Sequence, residues 1–166
     1  MAEPIVAAAA QEKPVRAVTA GVISEELQHA TIMIQCANAA GIPSSGTGFF
    51  FNFFKRDDQE VVTVVTNKHV ISGAENGVLK FTMMKPDGRA DIGNAHNLLF
   101  EKNFAKSWLL HPDPGVDLAI LPLGPHFPAM QSAGKTPYII ACNESNVPTD
   151  EGFKELLPLE DILVVG

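Results

Sequence analysis

The chain has 166 residues, 46% of them hydrophobic, which is enough to bury one well-packed core and the start of a second. Its formal charge is −7, from 12 Lys and Arg against 19 Asp and Glu, and the basic residues are scattered singly. That balance argues against nucleic acid or an anionic membrane surface as partner. Cys36 and Cys142 lie far apart and outside any C-x-x-C pair, so no disulfide framework is indicated and a reducing compartment is permitted.

Residues 1–26 mix Ala, Pro and charge without a sustained period and predict an N-terminal arm. Within it Pro4 to Ala10 is apolar but short, follows Glu3 rather than a basic stretch, and is read as a tail instead of a signal peptide. A cytoplasmic location is therefore expected over export. No apolar run approaches the ~20 residues of a membrane span. From residue 27 to 124 the chain reads as six short strands: Gln28 to Cys36, Thr47 to Phe54, Glu60 to Thr66, Gly77 to Met84, Phe104 to His111 and Leu118 to Leu123. Turn chemistry separates them, as in Ser72-Gly-Ala-Glu-Asn-Gly77, Pro86-Asp-Gly88 and His111-Pro-Asp-Pro-Gly115. With no long amphipathic helix between them, they predict an all-β antiparallel barrel or sandwich. Phe49 to Phe54 is too apolar for simple alternation, so both faces of that strand are expected to be covered. Residues 125–159 read as a connector with one or two helical turns from Thr149 to Leu157. Residues 160–166 begin another strand, whose open apolar edge is expected to favour self-association.

The chemistry concentrates in two places. Val61-Val-Thr-Val-Val-Thr-Asn-Lys-His69 is a β-branched run that breaks into a polar turn presenting a histidine. Asp117 opens the apolar stretch Leu118-Ala-Ile-Leu121, 48 positions after His69. A carboxylate there is expected to be partly desolvated and to need a partner, and His69 is the natural one. A hydrolase with a hydroxyl or thiol nucleophile needs a base to take the nucleophile's proton and an acid to hold the imidazole in one tautomer. Asp113, between two prolines, reads as a surface-turn residue, so Asp117 is preferred as the acid. His96, His111 and His126 do not form a ligand motif, and neither a metal nor a cofactor is implied. The glycines at 46, 48, 73 and 77 precede no helix with a G-K-[ST] signature, so no phosphate loop is supported. Trp108 and Tyr138 are explained by packing.

Gly46-Thr-Gly48-Phe-Phe, Val65-Thr-Asn-Lys-His69-Val-Ile71 and Asp117-Leu-Ala-Ile-Leu-Pro, in that order, resemble the first barrel of trypsin-like (chymotrypsin-fold) serine peptidases, nearest the bacterial Htr-type branch. The resemblance covers residues 28 to 124. It implies two six-stranded Greek-key barrels acting on a polypeptide substrate, with His69 as general base and Asp117 as orienting acid. It further implies that Ile162 to Gly166 begins a second barrel, truncated here after its first strand. The departure is the nucleophile. The family carries it in Gly-x-Ser-Gly, whereas Ser132 and Ser145 are the only serines after Asp117 and neither lies in such a turn. Cys142 lacks the glycine turn as well. The sequence thus predicts the N-terminal portion of a serine endopeptidase, inactive alone; the alternative is a non-catalytic, peptidase-like interaction module.

Overall fold

The computed structural model of the chain describes residues 15–17, 23–53 and 60–155. In chain order these form β1 (Val15–Ala17), α1 (Ile23–Ala30), β2 (Thr31–Asn38), β3 (Pro43–Phe53), β4 (Val61–Thr66), α2 (Lys68–Ile71), β5 (Ala74–Met84) and β6 (Ala90–Phe100). A 3-10 turn over Phe104–Ser107 leads to β7 (Leu109–Leu110) and β8 (Ala119–Pro122). Then come α3 (Phe127–Ser132), β9 (Ile139–Asn143) and α4 (Asp150–Glu155). The sheet is mostly antiparallel and runs β6-β5-β2-β3-β4-β8-β7, with β9 alongside β3 and β1, both pairings parallel. The path does not close through hydrogen bonds, yet its two ends, β6 and β7, are consecutive along the chain.

Alternation drives this arrangement. On β2, Ile32, Ile34 and Cys36 point inward, and on β5 Leu79, Phe81 and Met83 do the same. Val62 and Val64 of β4 and Leu121 of β8 complete the wall. Burying each such side chain fully is worth about 1.5–3 kcal/mol. Phe104 and Trp108 enter this core from the 3-10 turn, their rings nearly perpendicular at 5.7 Å between centroids. Gly48 is required by close approach between strands, since a Cβ there would lie 2.7 Å from Val64 Cγ1 and 2.9 Å from the Val65 carbonyl oxygen.

Several expected elements differ. The first expected strand is helical up to Ala30 and extended only from Thr31. The expected strand from Phe104 to His111 is instead a 3-10 turn followed by two paired residues, because Phe104 turns inward to join the core. An eleven-residue strand, Ala90–Phe100, went unread: its Asp91, Gly93, Asn94 and Asn97 lack strand propensity. Pairing with β5 across the Pro86-Asp-Gly88 turn holds it, and a register shift after Thr82 is absorbed near Gly93, where φ is +96°. β9 and α3 lie within the segment read as a connector, and α4 matches the helical turns expected there. Phe49 and Phe53 stay 39% and 37% exposed, so β3 is not covered on both faces; β4, from Val62 to Thr66, is. Of the expected N-terminal arm, residues 15–17 and 23–26 are described and contribute to β1 and α1. The expected strand at 160–166 lies outside the described residues. Among the described residues no helix is long and apolar enough to cross a membrane.

Candidate active site

Strand pairing brings the two candidate residues together. Thr66, the last residue of β4, lies opposite Ala119, the first of β8, so the segments leaving that end of the sheet are neighbours. Thr66 is 4% exposed and its hydroxyl donates to the Thr47 carbonyl at 2.9 Å, fixing the end of β4 against β3. From there the chain turns at Asn67 into α2, which carries His69 and is anchored by buried Ile71. Val70 sits directly over Gly46, where a Cβ would come within 2.6 Å of its Cγ1. The Cys36 thiol donates to the Val70 carbonyl at 3.5 Å.

On the other side, the loop before β8 is shaped by its own polar groups. The Asp113 carboxylate accepts from the Gly115 N–H at 2.8 Å, the Asp113 N–H donates to His111 Nδ1 at 3.2 Å, and the His111 N–H donates to the Leu118 carbonyl at 2.9 Å. Asp113 is thus occupied within its turn, while Asp117 reaches His69.

His69 Nδ1 and Asp117 Oδ2 are 2.5 Å apart, and the His69 backbone N–H donates to Asp117 Oδ1 at 3.2 Å. An ionised carboxylate only accepts, so Nδ1 carries the proton and the neutral ring keeps its lone pair on Nε2. The His69 side chain is 73% exposed, which leaves that nitrogen open to an incoming group. Asp117 is held below the usual carboxylate range, chiefly by its hydrogen bond from the His69 side chain, with the backbone N–H of His69 and Lys68 acting in the same sense. Its side chain is 48% exposed, so the expected desolvation is not what pairs it; hydrogen bonding is.

The residues weighed as nucleophiles stand elsewhere. Ser132 ends α3, and the Ser145 hydroxyl donates to Asn143 Oδ1 at 2.6 Å. Cys142 lies half-buried on β9, where burial pushes its thiol pKa up, away from a reactive thiolate. Among the described residues no cluster of three or more His, Cys, Asp or Glu side chains could hold a metal.

Two side chains at this site were not singled out from the sequence. Asn67 Nδ2 donates to the Asp117 carbonyl at 2.8 Å, and Lys68 Nζ donates to the Asp113 carbonyl at 2.9 Å. The signal was an asparagine immediately before a helical turn, a position that favours capping side chains. Comparison with protein-family models, curated proteins and solved structures finds no match to this chain.

Proposed function

We propose that the chain carries the general base and the orienting acid of a serine endopeptidase acting on polypeptide substrates. The observation that carries this reading is the bidentate hold of Asp117 on His69, through Nδ1 and the backbone N–H together, on an imidazole that stays largely exposed. That is the arrangement in which an imidazole takes a hydroxyl proton and returns it to a leaving amine, while the carboxylate stabilises the imidazolium. The sheet path adds support at the level of fold. Its ends follow one another in the chain, so a closed six-position Greek-key barrel, with β6 and β7 as two halves of one interrupted strand, is the architecture proposed. The reading needs a serine in a glycine-rich turn, and the 166 residues contain no Gly-x-Ser-Gly.

The test is fluorophosphonate labelling and peptidase assay of the native polypeptide that contains these residues. A labelled serine is expected, with His69→Ala lowering turnover on the order of 10⁴-fold or more. Absence of labelling in the native polypeptide, or full turnover in His69→Ala, would overturn the proposal in favour of a non-catalytic interaction module.

A further inference from the structure

Three consecutive residues reach across the sheet end to the loop that carries the acid. Asn67, Lys68 and His69 donate, in turn, to the Asp117 carbonyl, the Asp113 carbonyl and the Asp117 carboxylate. We infer that Asn67 and Lys68 are positioning residues that clamp the Asp113–Asp117 segment, so that the carboxylate is preset against His69 before any substrate arrives. The inference takes its catalytic meaning from the function proposed above, whereas the clamp is a property of the chain that can be read without turnover.

From His111 to Leu118 every residue is exposed except half-buried Val116, so packing fixes little of the loop. An exposed carboxylate–imidazole pair is screened by water and salt and is too weak to order a loop while also organising itself. Asn67 supplies the second observation. It occupies the N-cap position of α2 with extended backbone angles, φ −82° and ψ 144°, where an asparagine side chain ordinarily accepts from the first helical N–H groups. It makes no such bond. Its amide spans 50 positions to the Asp117 carbonyl instead, and the His69 N–H that a local cap would serve is taken by the Asp117 carboxylate. Cap and acid have exchanged partners, coupling the backbone position of residue 117 to the start of α2. Lys68 fixes the far end of the same segment at Asp113, where the Val116 N–H also donates to the Asp113 carbonyl at 3.2 Å.

Proton NMR of the chain tests this through the His69 Hδ1 resonance, with thermal melts confirming that each variant folds. Asn67→Ala and the near-isosteric Asn67→Asp, which lacks the donor, should speed exchange of that proton with solvent about three- to tenfold, the equivalent of one net hydrogen bond. Lys68→Met should move it in the same direction and Lys68→Arg, which keeps a donor, should leave it unchanged. Exchange that stays at the wild-type rate in both Asn67 variants overturns the clamp, provided Asp117→Asn alters the resonance. If Asn67→Ala does not fold, wild-type exchange in Lys68→Met overturns it. A resonance indifferent to Asp117→Asn would mean that the pair itself is absent in solution, which sinks the reading of base and acid and the clamp with it.

Discussion

His126 sits half-buried against Phe100, ring centroids 5.3 Å apart and planes at 71°, and burial lowers its pKa below the ordinary imidazole value. Asp117 is also shifted downward, but its carboxylate is half exposed, so water and salt screen the effect and its weight in global stability is small. The partly buried imidazole is therefore the group to examine for acid sensitivity. For a histidine with a depressed folded value, the unfolded chain binds the proton more readily. The protein then loses stability as pH falls through the unfolded value, and the full penalty is reached once pH is below the folded one. His126→Phe, which retains an aromatic partner for Phe100, should melt at a more nearly constant temperature between about pH 7.5 and 5, spanning the ordinary imidazole value. Equal losses of melting temperature in wild type and variant would show that His126 does not govern this limb.

The elements around the site are held by contacts as tight as those in the core. Gly46 of β3 lies under Val70 of α2, and a Cβ at residue 46 would meet Val70 Cγ1 at 2.6 Å and Cγ2 at 2.9 Å. A branched valine cannot swing aside as a long side chain can, so Gly46→Ala must lift α2 or bend β3. A cost of about 1–3 kcal/mol is expected, with His69 displaced from Asp117 because it precedes Val70. A lowered melting temperature together with a perturbed His69 Hδ1 resonance would bear this out, and an unchanged melt would show that the strand yields without strain. The sequence announced this neighbourhood well. Gly46 and Gly48, the β-branched run into Thr66, and Asp117 just before β8 are local signals, and strand pairing turns them into proximity. What it concealed depends on pairing and packing partners that local propensity does not reveal. β6 has poor intrinsic propensity and exists through β5; Phe104 leaves the strand conformation and packs its ring into the core, edge-on to Trp108. Asn67 and Lys68 look like ordinary turn residues until the loop 45 and 50 positions away is seen beside them.

At the scale of the molecule, the two ends of the sheet decide its architecture. Its path ends at β6 and β7, and the chain between them, residues 101–108, crosses the gap while sending Phe104 and Trp108 inward. The two ends are thus joined by the chain, but among the described residues they are not joined by backbone hydrogen bonds. Trp108 Nε1, in this same region, is buried and meets no hydrogen-bond partner among the described residues. Backbone protection against hydrogen exchange distinguishes the two states, because interior strands open only with global unfolding whereas edge amides exchange by local opening. β2, β3 and β4 each have neighbours on both sides, as does β5 between β2 and β6. Their amides should be the slowest, and in the proposed closed barrel the β6 amides that do not face β5 should be protected nearly as strongly. Such protection would give β6 a partner in solution and the His69–Asp117 end of the sheet the rigidity that a preset base and acid require, whereas exchange near the rate of an unstructured peptide would leave β6 an open edge and overturn the proposed Greek-key closure.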